Sequence, residues 1–279
     1  MQLNLILIDI VDQIIRYWQY YFRADTIFNV HSPFVYDFIT NVLDTRKQYY
    51  AFNALEHERR MLLANHSPVR IEDHGAGSRK KDEAPTVSSI AKKVVSPPAK
   101  CRTLFNLVNY FRPPTILELG TSLGLSALYM SKANQASQLY TIEGATEIYR
   151  LAKLLFEKNH ATNIHVYKGT FDDQLPGLLN ILKVVDLAYI DGHHNYAATI
   201  TNFNTILPYT HKSSIIVLDD IYWSAEMTRA WNEIKAMPQV AMTIDTFDFG
   251  FVFFNSEMEK QHFTLIDYRK KPWRIGLFG

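Results

Sequence analysis

Apolar and polar residues follow two different rhythms along this chain. Up to residue 112 the apolar positions recur at helical spacing and no strand pattern is present. The predicted helices lie at 31–43, 49–65, 88–95 and 100–111. From residue 113 onward, short apolar runs alternate with helical stretches. The pattern therefore divides the chain into an N-terminal helical cap, 1–112, and an α/β domain, 113–279.

The α/β domain is expected to be built on one mostly parallel sheet. The apolar runs that predict its first five strands lie at 115–119, 138–143, 164–168, 185–190 and 214–218. Strands that alternate with helices in this way are typical of the doubly wound, Rossmann-like arrangement. The stretches 241–248 and 251–254 flank Phe249-Gly250 and predict an antiparallel pair. We therefore expect seven strands, with a reversed C-terminal hairpin.

The first residues form an amphipathic pattern of their own. One stripe recurs at helical spacing and consists of Ile6, Ile10, Ile14, Tyr17 and Tyr21, continued by Trp18 and Phe22. Asp9 and Asp12 interrupt the apolar run well before the ~20 residues that a membrane span requires, so no span is expected. We expect the stripe to pack on the body of the protein or on a second subunit in a homodimer. Contact with a membrane surface and a role as a substrate lid are the alternatives.

Charge and cysteine content exclude several classes of protein. Lys and Arg number 29 and Asp and Glu 28 in 279 residues, a formal net charge of +1, so nucleic acid is not an expected partner. The single cysteine, Cys101, cannot form an internal disulfide, and we expect it to be a buried thiol. A reducing cytoplasm is the simplest location for such a chain.

The most informative stretch is the loop after the first predicted strand. Glu118 precedes Gly120, and Thr121 and Ser122 separate that glycine from Gly124. The glycines allow backbone to approach a ligand closely, and an acid two residues earlier suits a ligand with positive charge. A dinucleotide fingerprint is Gly-x-Gly-x-x-Gly, which this loop does not supply. An NAD-dependent oxidoreductase is therefore disfavoured.

The loop resembles the first motif of the class I S-adenosylmethionine-dependent methyltransferases, and most closely that of the catechol and caffeoyl-CoA O-methyltransferases. Three further stretches match in the expected order: 140–143, 185–196 and 215–220. The resemblance covers roughly residues 95 to 255. It implies S-adenosylmethionine as cofactor and O-methylation of a small-molecule acceptor. A protein that binds this cofactor for sensing or scaffolding, without transfer, is the alternative.

The resemblance also distributes the cofactor contacts along the chain. The expected cofactor-binding residues are Glu118, Gly120, Thr121, Ser122, Gly124, Glu143, Asp172 and Asp191. The loop would face the methionine part, with Glu118 near its amino group. Glu143, which ends the second predicted strand, would bind the ribose hydroxyls, and Asp172 would lie on the adenine side. A charge at the N-terminus of the next helix is the alternative for Glu143.

Three acids follow the fourth and fifth predicted strands. They are Asp191, Asp219 and Asp220. The carboxyl ends of neighbouring parallel strands meet at one edge of a sheet, and crowded carboxylates repel one another unless a cation joins them. Mg²⁺ would suit these oxygen ligands and would lower the pKa of a bound hydroxyl. The catechol-type trio is Asp, Asp and Asn, so Asp220 departs from it, and helix capping or metal-free binding is the alternative.

A histidine pair follows the first of these acids. His194 is the expected general base, because an unperturbed imidazole has a pKa near ~6.5 and the Asp-Gly-x-His-x-Tyr arrangement recurs in the related enzymes. Asp191 is expected to act with it in catalysis. A backbone hydrogen bond at the strand end is the alternative for this histidine. The charged loop 71–83 is expected to be a flap over the active site or a plain connection.

Overall fold

The computed structural model describes residues 2–69, 85–255, 257 and 259–271, and residues 2–10 only by their place in a helix. The chain forms two compact units. The middle unit consists of Asn41–Ile181, and the terminal unit consists of Met1–Thr40 and Leu182–Gly279. The expected flap, 71–83, lies outside the described residues.

Helices and strands alternate from the middle of the chain onward. The helices are α1 (Gln2–Arg23), α2 (Pro33–Phe38), α3 (Ala51–Ala64), α4 (Val87–Val94), α5 (Pro98–Phe111), α6 (Leu125–Ala133), α7 (Thr146–Lys158), α8 (Phe171–Leu182), α9 (Tyr196–Ile206) and α10 (Ala225–Ala236). The strands are β1 (Thr115–Leu119), β2 (Gln138–Glu143), β3 (Ile164–Lys168), β4 (Leu187–Ile190), β5 (Ile215–Asp219), β6 (Met242–Asp245), β7 (Phe249–Phe253) and β8 (Gln261–Thr264).

The middle unit contains three parallel strands in the order β3-β2-β1. Leu117 pairs with Tyr140, and Thr141 pairs with Val166. Four of the five residues of β1 are buried, which is typical of a parallel strand covered on both faces. Helices α5 and α6 pack against each other beside these strands, and Cys101 on α5 is a buried free thiol, as predicted.

The terminal unit contains five strands in the order β4-β5-β7-β6-β8. Strands β4 and β5 are parallel, whereas β7 runs antiparallel to both β5 and β6, so the predicted reversed hairpin is present. Gly250 on β7 leaves room for Trp231 of α10, because a Cβ there would lie 2.7 Å from the indole ring. The hairpin thus allows α10 to pack closely on the sheet.

The α/β fold is confirmed, with one strand more than the seven predicted. The additional strand is β8, which pairs parallel with β6. Its sequence, Gln-His-Phe-Thr, has no apolar alternation, and none of its residues is buried. Before Thr115 the described residues form helices and isolated bridges. The division into a cap and a domain at residue 112 stays a prediction, and this boundary lies inside the middle unit.

Helix α1 is fixed at its C-terminal end to the last part of the chain. The buried ammonium of Lys271 donates to the carbonyls of Tyr21 at 2.6 Å and Ala24 at 2.7 Å. Arg16 Nε donates to the Tyr222 carbonyl at 3.1 Å. The two Lys271 contacts complete the last turn of the helix, where carbonyls lack partners within the helix, and the Arg16 contact fixes α1 further along its length.

The predicted apolar stripe of α1 falls on two different faces. Tyr21 is buried against the rest of the terminal unit, whereas Ile14, Trp18 and Phe22 are exposed. The stripe therefore packs on the body of the protein only in part. Over the ranges given above, the structure contains no helix that combines the length and the apolar character needed to cross a membrane.

Candidate functional site

The glycine loop is a tight turn held against the end of β2. Gly120 has φ 104° and Gly124 has φ 84°, values that favour glycine. Ser122 also has positive φ, 49°, which is uncommon for a residue with a side chain. The backbone amides of Gly120 and Thr121 both donate to the Ile142 carbonyl at 3.2 Å. The sequence of the loop thus specifies a turn that few other residues could form.

Gly124 has a packing reason as well as a conformational one. A Cβ at this position would lie 2.7 Å from two ring carbons of Phe156 and 3.2 Å from the Cβ of Ala152, both on α7. The missing side chain therefore lets α7 approach the turn from which α6 begins. A direct contact of Gly124 with the cofactor stays a prediction.

Glu118 lies at the centre of a buried hydrogen-bond network. The side chain is fully buried, Ser126 Oγ donates to one carboxyl oxygen at 2.6 Å and Thr141 Oγ1 donates to the other at 2.6 Å. Thr121 Oγ1 lies 2.6 Å from Thr141 Oγ1 and extends the network into the loop. Burial raises the pKa of Glu118 to about 7, against the effect of the two hydroxyl hydrogen bonds. The carboxyl group can thus change its charge near neutral pH.

Glu143 connects the glycine loop to α7. One carboxylate oxygen accepts the amide of Ser122 and the other accepts the amide of Ala145, both at 2.9 Å. Burial raises the pKa of Glu143, and the backbone amides oppose this rise. The carboxylate therefore lies at the N-terminus of α7, as the alternative interpretation of Glu143 expects, and it also contacts the glycine loop. Its expected contact with ribose hydroxyls stays a prediction.

Asp172 lies apart from this network. It is exposed in the first turn of α8, where Thr170 caps the helix because its hydroxyl accepts the amide of Asp173 at 3.2 Å. Thr170 Oγ1 donates to Asp173 at 2.7 Å. Asp172 is consequently a carboxylate at a helix N-terminus, which leaves its expected place on the adenine side a prediction.

In the terminal unit a tyrosine brings two of the predicted acids together. The Tyr189 hydroxyl lies 3.1 Å from Asp191 Oδ2 and 3.1 Å from Asp219 Oδ2. Both Tyr189 and Asp219 are buried. Tyr189 was not singled out from the sequence, because a tyrosine inside an apolar strand is expected to be a core residue. The available signal was its position two residues before Asp191, which places both side chains on one face of β4.

His194 faces the same aspartate from the loop after β4. Its Nε2 lies 3.6 Å from Asp191 Oδ1, and the imidazole is 34% exposed. Asp191 thus lies between a buried phenol and a histidine that solvent and ligands can reach. Such an arrangement can hold a proton on the imidazole and stabilise the resulting positive charge.

The end of this loop is fixed to α10 by Tyr196. Its amide lies 3.3 Å from Glu226 Oε2, its hydroxyl donates to Glu233, and the Arg229 guanidinium lies 4.0 Å from the ring centroid. The side chain of Asn195 caps α9 by accepting the amide of Ala198 at 2.9 Å. The loop that carries His194 is therefore anchored where it enters α9.

Asp220 is placed differently from the other two acids. It has φ 51°, and its amide donates to the Asp248 carbonyl at 2.8 Å. Within the described part of the chain, no group of three or more His, Cys, Asp or Glu side chains is arranged to hold a metal ion. The donor set therefore does not fit the expected three-carboxylate site, and Mg²⁺ binding stays a prediction.

The aromatic residues after β5 are divided between core and surface. Tyr222 is buried and donates to Asp245 at 2.5 Å, whereas Trp223 is 57% exposed. Burial raises the pKa of Asp245 despite this hydrogen bond. Of the two aromatic side chains, therefore, only that of Trp223 is accessible to a bound acceptor molecule.

Comparisons with known proteins agree with the resemblance noted in the sequence. Residues 117–221 match the family model of a methyltransferase domain. The chain is 31% identical over 144 residues to uncharacterized protein R132 of Acanthamoeba polyphaga mimivirus, a match that covers 48% of this chain and 65% of that protein. It is 29% identical over 126 residues to O-methyltransferase hkm8 of Aspergillus hancockii, covering 44% and 49%. The matches thus span about half to two thirds of these relatives.

A solved structure extends the likeness to most of the chain. The SAH-bound methyltransferase PaMTH1 of Podospora anserina is similar over 81% of this chain and 97% of its own, with a TM-score of 0.56 and 14% identity. At that identity the likeness concerns the fold. The predicted Rossmann-like α/β fold is therefore confirmed.

Proposed function

We propose that this protein is an S-adenosylmethionine-dependent methyltransferase that acts on an oxygen atom of a small molecule. The observation that carries the proposal is the connection of the Gly120–Gly124 loop to Glu143 at the end of β2. This acid lies within the segment that matches a methyltransferase domain, 117–221. One relative is named as an O-methyltransferase, and one solved structure of similar fold is SAH-bound.

The middle unit would supply the cofactor contacts. Glu118 can become a carboxylate at neutral pH, and a nearby ammonium or sulfonium group would favour that charged form. Glu143 presents a carboxylate that ribose hydroxyls can approach as donors, while the amides of Ser122 and Ala145 hold it in place. These two acids account for the positive and the hydroxylated parts of S-adenosylmethionine.

The terminal unit would supply the group that receives the acceptor's proton. Methyl transfer is an in-line displacement in which the acceptor oxygen bonds to the methyl carbon and the carbon–sulfur bond breaks. The acceptor hydroxyl must lose its proton, and His194 is the base that we propose. Since Nε2 faces Asp191, Nδ1 would take the proton, and the aspartate would stabilise the imidazolium.

Binding measurements test the cofactor before any acceptor is known. Calorimetric titration with S-adenosylhomocysteine should give binding, whereas NAD should not bind, because the loop lacks the dinucleotide fingerprint. Transfer of a radiolabelled methyl group from S-adenosylmethionine to a panel of small hydroxylated compounds then tests the reaction. Binding of NAD alone would overturn the proposal, and cofactor binding without transfer to any compound would favour the sensing role.

A chelation experiment tests the predicted role of Mg²⁺ separately. If Asp191, Asp219 and Asp220 gather around a cation on binding of the acceptor, EDTA should abolish turnover and Mg²⁺ should restore it. Turnover that persists in excess EDTA would refute the metal prediction and leave His194 as the proposed base.

A further inference from the structure

The turn that follows β5 is held by a side chain of α1. Arg16 Nε donates to the carbonyl of Tyr222 at 3.1 Å, and Arg16 Nη2 donates to the carbonyl of Trp223 at 3.3 Å. These contacts join residues that are 206 and 207 positions apart in the sequence. The planar guanidinium suits this role, because its N–H groups point in fixed directions. One side chain of α1 thus binds two successive carbonyls of the turn.

Two successive carbonyls define the backbone on both sides of Trp223. The Tyr222 carbonyl belongs to the peptide plane that precedes Trp223, and the Trp223 carbonyl belongs to the plane that follows it. The soft dihedral angles between these two planes are φ and ψ of Trp223. The amide of Trp223 also donates to the Asp220 carbonyl at 2.9 Å. A guanidinium that holds both planes therefore fixes the direction in which the indole leaves the backbone.

Ring contacts keep α1 in place beside this turn. The Phe247 ring stacks on the Tyr222 ring, with centroids 5.2 Å apart and an angle of 15° between the planes. Tyr17 and Tyr20 of α1 contact the same Phe247 ring, at centroid distances of 5.1 and 5.2 Å. Aromatic pairs at such distances stabilise the packing of the elements that carry them. Helix α1 therefore presents Arg16 to the turn from a fixed position.

The indole of Trp223 belongs to the strand ends at which we place the proton transfer from the acceptor. It is 57% exposed and follows Asp219, the last residue of β5, by four positions. The loop that carries His194 adjoins α10, which begins two residues after Trp223, because the amide of Tyr196 lies 3.3 Å from Glu226 Oε2. An exposed aromatic ring in this region can cover one face of a small molecule.

We propose that Arg16 is a positioning residue of the acceptor site and that it acts through Trp223. The proposal rests on the methyltransferase function proposed above. The guanidinium fixes the turn, the turn directs the indole, and the indole packs on the bound acceptor. Loss of the guanidinium should therefore weaken acceptor binding. It should leave the transfer step and cofactor affinity unchanged, because the proposed base and the glycine loop lie on other elements.

Steady-state kinetics with the best acceptor from the panel of hydroxylated compounds test the proposal. Arg16→Gln should raise KM for that acceptor about tenfold, the equivalent of one charge-assisted hydrogen bond, and should keep the turnover number within about twofold. The matched control is Arg46→Gln, which removes an exposed guanidinium paired with Asp44 and should keep the wild-type KM. An unchanged KM in Arg16→Gln would overturn the proposal.

A double-mutant cycle tests whether Arg16 acts through Trp223. Trp223→Ala should raise KM by itself. Addition of Arg16→Gln should raise KM no further, because the indole that the guanidinium directs is gone. A further tenfold rise in the double variant, or a wild-type KM in Trp223→Ala, would overturn the proposal.

Hydrogen exchange followed by mass spectrometry provides a readout that needs no acceptor. Arg16→Gln should speed exchange of the backbone amides at 220–224, whereas the glycine loop at 120–124 should exchange as in the wild type. Unchanged exchange at 220–224 would overturn the positioning role even in an active enzyme. Absence of transfer to every compound would refute the proposed function, and exchange at 220–224 then decides whether Arg16 orders the turn. If Arg16→Gln fails to fold by circular dichroism, Arg16→Lys, which keeps the charge and loses the planar fork, replaces it.

Discussion

The glycine loop of the middle unit and the acidic strand ends of the terminal unit hold their carboxyl groups in different ways. In the middle unit, Glu118 and Glu143 each have a separate donor at 2.6–2.9 Å for each oxygen. In the terminal unit, the Tyr189 hydroxyl lies at the same distance, 3.1 Å, from Asp191 and Asp219. One hydroxyl proton can be donated fully to only one of them at a time.

This difference suggests a division of labour. Carboxyl groups with a donor for each oxygen are fixed in place, which suits binding of a ligand. Asp191 shares the Tyr189 hydroxyl with Asp219 and lies 3.6 Å from His194, so it can respond to a change in proton number, which suits catalysis. Substitutions in the middle unit should therefore change affinity or stability, and substitutions in the terminal unit should change rate.

The largest effect is expected for His194→Ala. Loss of a positioned base should lower the turnover number about 10²–10⁴-fold, and the loss should shrink as pH rises and the acceptor ionises unaided. Affinity for S-adenosylhomocysteine should change little, since all the expected cofactor contacts except Asp191 lie in the middle unit. Steady-state rates across pH check this, with His193→Ala as the neighbouring control. A greater loss of turnover in His193→Ala than in His194→Ala would assign the role of general base to His193.

The next effect concerns Gly124→Ala. The added Cβ would lie 2.7 Å from the Phe156 ring on a backbone with φ 84°, so we expect a loss of about 2–4 kcal/mol in the free energy of unfolding. Urea denaturation measures it.

Gly177→Ala is the matched control for that substitution. Its Cβ would meet no atom within 4 Å, and the helix should gain about 0.5–1 kcal/mol. Equal stability of the two variants would refute the packing role of Gly124.

A smaller effect is expected for Glu143→Ala. Loss of charge-assisted hydrogen bonds to the ribose should weaken binding of S-adenosylhomocysteine by about 1–3 kcal/mol. Glu147 is a half-buried acid in the first turn of α7 that pairs with Arg150, and Glu147→Ala should bind like the wild type. Calorimetry distinguishes the two, and wild-type affinity in the Glu143 variant would place the ribose contact elsewhere.

The smallest effect is the pH dependence of cofactor binding. The pKa of Glu118 is about 7 without ligand, and a bound ammonium group favours the carboxylate and so lowers that pKa. Below pH 7 binding must release a proton, so affinity should fall as pH decreases and level off above pH 7. A lowering by one unit corresponds to about a fivefold difference between pH 6 and pH 8. Glu118→Gln should remove this dependence, and an unchanged dependence would assign it to another group.

Sequence patterns predicted most of the sheet, and the failures have physical causes. Strands β1 to β5 begin and end within two residues of the apolar runs. Strands β4 and β5 are buried along their whole length, as parallel strands covered on both faces are, and β3, none of whose residues is buried, still alternates apolar and polar positions. Strand β8 was missed because its sequence, Gln-His-Phe-Thr, has no apolar alternation. It pairs with β6 through the backbone and through a side-chain contact of 2.8 Å between Thr243 Oγ1 and His262 Nδ1.

The candidate site was predicted by residue but not by geometry. Asp191, Asp219 and His194 were named from the sequence, whereas Tyr189, whose hydroxyl lies between the two aspartates, was not. The packing requirement for a glycine at position 124 could not be predicted from the local sequence either, since Phe156, which occupies the space of a Cβ, lies 32 positions further along the chain. Contacts between distant positions leave no trace in local periodicity.

The ammonium of Lys271 at the end of α1 bears on the order of events during synthesis. Helix α1 leaves the ribosome early, but the residue that closes its last turn follows some 250 residues later. At 5–20 residues per second this interval is about 12–50 s. Throughout that time the face of α1 that carries the buried Tyr20 and Tyr21 lacks its final neighbours, so this face stays exposed to solvent in a nascent chain.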